Sequence, residues 1–258
     1  MKRIASVMAM QARDRGTWFV IPSFALGAVF ALAWCIVLIH DLLMGGINGT
    51  FAPGLATFFI FVLVGGINTL TGTFPFAVGF GTLRRDYLLG TLAVAGAVCA
   101  AWAILLTLLS FIEANVINNW GVGIHFFHLP FFSDGAPLRQ FCWMSDTQCV
   151  QTDPNYVGGI SPLGQLWAYF APLLLMCVLG LLLGSIYQRF GRTGEYVFFG
   201  VAFLLLSVLL LVSTYWSWWG AISGWLAQQT AAGLVSWLVP LIAIGALASY
   251  ALLRKATV

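Results

Sequence analysis

Six stretches of this chain, at 17–39, 54–80, 87–112, 166–187, 196–216 and 234–253, contain no Asp, Glu, Lys, Arg or His. A helix rising 1.5 Å per residue needs about 20 apolar residues to cross the ~30 Å hydrocarbon core of a bilayer, so each stretch is long enough to span one. The 258-residue chain is only 7% charged, with 11 Lys+Arg, whereas about a quarter of a soluble domain is charged. That composition excludes a soluble enzyme, and its scattered basic pairs build no groove for nucleic acid. Barrel strands would alternate apolar and polar residues over about ten positions, and no segment here does. The expectation is an all-α integral membrane protein with six transmembrane helices, one domain over 1–258.

Basic residues set the orientation. Lys2, Arg3, Arg13 and Arg15 precede the first stretch, and Arg84 and Arg85 lie between the second and third. Arg189 and Arg192 lie between the fourth and fifth, and Arg254 and Lys255 follow the sixth. With an even helix count these residues share one side, while the other keeps Arg139 against Asp41, Glu113, Asp134, Asp146 and Asp153. The positive-inside rule then places both termini in the cytoplasm. Residues 1–16 form a cytoplasmic segment in which Ile4, Val7, Met8 and Ala12 fall roughly on one helical face. This suits an N-terminal interfacial helix, and a frayed basic tail fits the residues equally. Asp14, the long first span and the lack of a small-x-small site set this start apart from a signal peptide, so the first helix is expected to be retained.

The centre of every span is free of ionisable groups; His40, Asp41 and Glu113 fall at outer helix ends, where water is expected to reach them. A proton- or sodium-coupled carrier needs such a group near the midplane, which weighs against that class. Asn68, Thr69, Thr71 and Thr73 make the second helix polar. They either line a path or hydrogen-bond neighbouring helices. Ser223, in Gly220-Ala221-Ile222-Ser223-Gly224, has no histidine on a membrane helix to serve as its base, since His40, His125 and His128 belong on or near outer loops. An intramembrane protease is therefore disfavoured. The chain has no C-x-x-C pair for disulfide exchange. Its only lysines, Lys2 and Lys255, close no phosphate-binding loop. Uphill transport would have to draw on ATP hydrolysis in a partner chain.

Residues 113–164 form an outer segment expected to cap the mouth between the third and fourth helices. Cys142 and Cys149 are its only cysteines, and a disulfide between them is expected on the oxidising side. The alternative joins them to His125-x-x-His128 as a zinc site, with spacing looser than zinc modules use. Cys35, Cys99 and Cys177 lie in spans and read as packing residues. Trp216, Trp218, Trp219, Trp225 and Trp237 crowd the fifth-to-sixth connection, as interfacial aromatics do. Within it, 217–236 either re-enters the membrane from outside or lies flat on it. Gly180-x-x-x-Gly184 permits close helix packing, here expected within the chain.

The most distinctive stretch is Phe74-Pro75-Phe76-Ala77-Val78-Gly79-Phe80-Gly81-Thr82-Leu83-Arg84-Arg85-Asp86-Tyr87-Leu88-Leu89-Gly90-Thr91. A helix leaves the membrane after Pro75, turns through Gly79 and Gly81, presents Arg84-Arg85-Asp86 to the cytosol and re-enters at Tyr87. In this stretch, and in topology over its whole length, the chain resembles a permease of the ABC-2 type exporter family, especially the small six-helix permeases of Gram-positive and actinobacterial species. It departs from better-known members in carrying its long outer segment between helices three and four.

The resemblance implies a permease domain over 1–258 in a bacterial plasma (inner) membrane. A second permease, identical or homologous, and two copies of an ABC ATP-binding subunit would complete the transporter. ATP and magnesium would belong to that subunit, with no cofactor in this chain. The resemblance further implies that Arg84, Arg85 and Asp86 lie in or beside the element coupled to the ATPase, and that Arg189, Arg192 and Glu195 form a second inner contact. Asn68, Thr69 and Ser207 would border the path of an amphipathic or hydrophobic substrate such as a drug, lipid or peptide. Two other classes remain open: a membrane scaffold or assembly protein without a transport cycle, and a membrane enzyme using outer-face His, Cys and Asp residues.

Overall fold

A computed structural model describes residues 2–14, 16–44, 50–51, 54–117, 120, 124–127, 162–229 and 231–254. The described residues are mainly helical. Helix α1 (Lys2–Ala12) leads through a π-helical turn (Gly16–Val20) into α2 (Ile21–Met44), followed by α3 (Gly54–Gly79) and α4 (Arg84–Asn115). Then come α5 (Pro162–Tyr215), the short α6 (Trp219–Gln228) and α7 (Ala231–Ser236), and α8 (Leu238–Arg254). Two extended pairs, β1 (Thr50–Phe51) and β2 (Ile124–His125), lie parallel with Thr50 opposite Ile124. Among the described residues, five helical stretches are long and apolar enough to cross a membrane: Gly16–Leu43, Gly54–Gly79, Arg84–Glu113, Pro162–Tyr215 and Ala232–Arg254. This is the build of a multi-pass membrane protein.

The fourth and fifth charge-free stretches are two helices that follow one another without a loop, joined across a kink within α5. Its backbone breaks at Gly191, with φ 67° and ψ −165°, a region open in practice only to glycine. The charged residues Arg189, Arg192 and Glu195 surround that break. Beyond it α5 is largely exposed, with Phe203 69%, Leu205 66% and Leu211 70% accessible and Ser213 buried.

Glycine decides how closely α3 and α5 approach. A Cβ on Gly66 would sit 2.6 Å from the Cys177 carbonyl oxygen, one on Gly184 would sit 2.9 Å from Leu70 Cβ, and one on Gly180 would strike the Leu63 carbonyl. The Gly180-x-x-x-Gly184 packing is therefore within the chain, and Gly66 is its counterpart. Around this crossing Phe58, Trp102, Leu106, Tyr169 and Leu173 are buried in one core, with Phe58 and Trp102 ring centroids 4.7 Å apart. Trp102 Nε1 also donates to the Trp18 carbonyl at 3.0 Å, which ties the π-helical turn to α4. Cys99 and Cys177 pack in this core as expected, but Cys35 is exposed on α2.

Helix α1 is docked on α4. Among its described side chains, which begin at Ser6 and so leave out Ile4, Val7 and Gln11 are buried, whereas Met8 and Ala12, assigned to its apolar face by sequence, are exposed. The contact stripe runs i, i+4 and tolerates a glutamine because α4 answers it: Gln11 Nε2 donates to Thr91 Oγ1 at 2.6 Å. Helix α6 has 10 residues and α7 has 6, too few to cross a ~30 Å core at 1.5 Å per residue. Trp167 Nε1 donates to Ser236 Oγ at 3.4 Å, fixing the end of α7 to the start of α5.

Candidate functional site

The turn between α3 and α4 is a glycine C-cap. Gly81, with φ 77°, donates to the Val78 carbonyl at 2.9 Å, and the Thr82 N–H reaches the Ala77 carbonyl at 3.1 Å. These are the paired bonds of a Schellman ending, which needs a left-handed residue at this position. Leu83 is extended and α4 starts without a side-chain cap, so Arg84, Arg85 and Asp86 fill its first turn. Asp86 suits the positive end of the helix dipole, and two arginines there do not. Arg84 escapes the conflict by reaching α8: its Nη1 donates to the carbonyls of Leu253 at 3.3 Å and Arg254 at 3.1 Å. There a cation meets the partial negative charge of a helix C-terminus. Arg85 is exposed and Asp86 half-buried.

Directly beneath, Pro75 deprives the Thr71 carbonyl of its helical donor. Gln188 of α5 replaces it: Nε2 donates to the carbonyls of Leu70 and Thr71, both at 3.3 Å. From α4, the Tyr87 hydroxyl donates to the Thr69 carbonyl at 3.2 Å and shares a hydrogen bond with Thr73 Oγ1 at 2.7 Å. Thr91 Oγ1 donates to the Tyr87 carbonyl at 2.8 Å and receives Gln11. A polar seam thus joins α1, α4, α3 and α5 at one end of the bundle. Replacing Gln188 by Ala is expected to cost about 1–3 kcal/mol, because the Thr71 carbonyl is left without a donor. The check is the unfolding temperature in detergent, which would stay unchanged if the carbonyl had another source of hydrogen bonds.

Arg84 bound to the end of α8, and Gln188 bound to the last turns of α3, bring Arg84, Arg85, Arg189, Arg192 and Arg254 to this same end. Arg189 Cζ lies 4.7 Å from the Phe190 ring centroid, Arg192 is exposed and Glu195 half-buried. The residues expected to border a path differ in exposure. Asn68 is exposed, and Thr69 is buried with Oγ1 donating to the Gly65 carbonyl at 2.8 Å. Thr71 and Thr73 likewise donate to Ile67 and Thr69 carbonyls, at 3.0 and 2.6 Å. Ser207 lies beyond the Gly191 break and donates to the Phe203 carbonyl at 2.8 Å. The Ser223 hydroxyl is also used locally, donating to the Gly220 carbonyl at 3.1 Å.

The opposite end corrects one expectation. Glu113 is 1% exposed, not water-accessible. The chain beyond α4 folds back over it, and the N–H groups of Phe126 and Phe127 donate to Oε1 and Oε2 at 2.6 and 2.8 Å. Trp120 Nε1 adds a bond to Oε1 at 3.1 Å. Donors engage both oxygens, which offsets the cost of burying the carboxylate. Tyr169 of α5 donates its hydroxyl to the Phe127 carbonyl. Phe30 of α2 packs against Trp120 and Phe126 with ring centroids 4.6 and 5.0 Å away. The signals were a carboxylate closing an apolar helix and aromatics following it, which mark no fold-back by themselves.

His128, Cys142 and Cys149 lie outside the described residues, as does most of 113–164, and with them the expected disulfide and the alternative zinc site. Among the described residues, no group of three His, Cys, Asp or Glu could hold a metal, and Cys35, Cys99 and Cys177 are free thiols. Comparison with family models, curated proteins and solved structures returns no match for this chain. Its functional reading therefore rests on its own residues.

Proposed function

We propose that this chain is the membrane-spanning permease subunit of an ATP-driven exporter of the ABC-2 type, working with a second permease and two copies of a separate ATP-binding subunit. The observation that carries the reading is the turn at Arg84-Arg85-Asp86. It is short, charged and braced: α3 enters it through a glycine cap, and Arg84 binds the end of α8. A force applied at such a turn is passed to the first turn of α4 and the last turn of α8 together. Arg85, exposed beside it, is free to meet a partner's surface. ATP and magnesium belong to that partner, and the substrate is amphipathic or hydrophobic.

Six spans with both termini cytoplasmic accord with this geometry. At 54 residues, α5 is far too long for one crossing of a ~30 Å core, and the Gly191 break divides it into two. Four crossings then separate the start of α4 from the end of α8, an even number, which agrees with Arg84 touching Arg254. The basic residues gather on one side and mark it as cytoplasmic, in a bacterial plasma membrane. A second reading, a scaffold without a transport cycle, is favoured by one observation: the threonine hydroxyls of α3 are taken up by backbone carbonyls and Tyr87.

Purification in mild detergent from the native host separates the two, since a stoichiometric P-loop ATPase is expected only from an exporter and a non-ATPase partner only from a scaffold. Within a reconstituted complex, the triple variant Arg84→Ala, Arg85→Ala, Asp86→Ala is expected to insert normally and to lose most transport while ATP hydrolysis persists. Full transport by that variant would overturn the coupling role.

A further inference from the structure

The break at Gly191 opens a cleft at the basic end of the bundle. Its walls are the last turns of α5 before the break, the first turns after it, and the final part of α8, including Ile186, Phe190, Val201, Ala248 and Leu252. The cleft measures about 800 Å³, within the range of small-molecule and lipid-sized sites. Almost all of its lining is apolar. From Arg192 to Val201 the helix rises by nine residues, about 14 Å at 1.5 Å each. That is close to half of a ~30 Å hydrocarbon core, the depth of a single leaflet.

Two arginines and one half-buried carboxylate, Arg189, Arg192 and Glu195, flank the break that opens this cleft. Arg189 lies over the ring of Phe190, a cleft wall, at 4.7 Å. Arg192 is exposed one residue past the break, and Thr193 contributes a hydroxyl at the rim. Glycine makes the shape possible: Gly191 adopts φ 67°, and a Cβ on Gly194 would collide with Phe190. Apolar depth of one leaflet beneath two arginines is complementary to one kind of molecule, a phospholipid with a net negative headgroup.

We infer that this cleft holds an anionic phospholipid, with an acyl chain between the two halves of α5 and α8 and its headgroup phosphate on Arg189 and Arg192. The inference needs only that the helices span a bilayer, so it stands or falls separately from the exporter reading. The same arginines set the preference for charge, and the cleft itself sets the affinity for the chain.

The full-length protein, reconstituted with equal amounts of phosphatidylglycerol and phosphatidylcholine, is released into the gas phase and its retained lipids counted by native mass spectrometry. Two surface arginines favour the anionic lipid by roughly thirtyfold, so wild type is expected to retain phosphatidylglycerol preferentially. The pair Arg189→Ala, Arg192→Ala should lose that preference, and Arg189→Lys, Arg192→Lys should keep most of it. Ala248→Trp, which fills the cleft and leaves both arginines, should lower retention of both lipids. Helical circular dichroism and gel filtration establish that each variant is folded. An unchanged preference in the alanine pair, or equal loss in the lysine pair, overturns the headgroup assignment. Cross-linking of Val201→Cys between two copies, with no lipid retained, would assign the cleft to a second chain and overturn the inference entirely.

Discussion

Replacing Glu113 by alanine is expected to destabilise the protein by about 3 kcal/mol or more. The variant leaves the N–H groups of Phe126 and Phe127 and the indole of Trp120 without their acceptor, and each buried orphan costs about 1–3 kcal/mol. A second cost arises at Trp120. Its backbone is left-handed, with φ 60°, a conformation unfavourable for a bulky residue and held here partly by the indole bond to Glu113. Without the carboxylate the loop is expected to lift, taking Phe126 and Phe127 out of the core where they pack against Phe30. Glu113→Gln should fall between the two, since one amide oxygen can serve one side and its NH₂ faces donors on the other. The measurement is the unfolding temperature in detergent, together with protease cleavage near residue 120. An alanine variant as stable and as resistant as wild type would mean that water satisfies these donors.

An effect of similar size is expected at the α3–α5 crossing. Any side chain at Gly180 would run into the Leu63 carbonyl, and one at Gly66 would sit 2.6 Å from the Cys177 carbonyl. Backbone cannot rotate away as a side chain can, so the helices must separate and the core at Phe58, Tyr169 and Leu173 must open. Gly180→Leu is expected to abolish accumulation of monodisperse protein, and Gly180→Ala to reduce it strongly. Gly72→Ala, on the same α3 but with nothing within 4 Å of its added Cβ, is the control. It should be neutral or slightly stabilising, since alanine is the better helix former by about 1 kcal/mol. Equal behaviour of Gly180→Ala and Gly72→Ala in size-exclusion profiles would refute close packing at this crossing.

Particular residues show where sequence reasoning ran short. Pro75 is visible in the sequence and implies an unpaired carbonyl, yet the donor, Gln188, lies 117 residues from Thr71. Arg84 reads as a free charge on an inner turn, and its partner is a carbonyl 170 residues away. Glu113 reads as a wet helix end because charges default to the interface; the return of the chain over it decides otherwise. On α1 the error was of one face: Met8 and Ala12 were paired with Val7 by apolarity, but Gln11 is the buried one, because Thr91 offers it a hydrogen bond. Gly180 and Gly184 were legible as a packing pair, and their counterpart Gly66 was not.

By itself the sequence determined the helical class and the stretches long and apolar enough to cross a bilayer. The reason is that a bilayer penalises charge and unpaired backbone so heavily that apolar run length and charge position carry the information locally. The tertiary structure alone decided which faces meet, which polar groups satisfy which carbonyls, and that Glu113 is sealed inside. Those outcomes depend on contacts between residues far apart in the chain, worth a few kcal/mol each, and no local pattern encodes them.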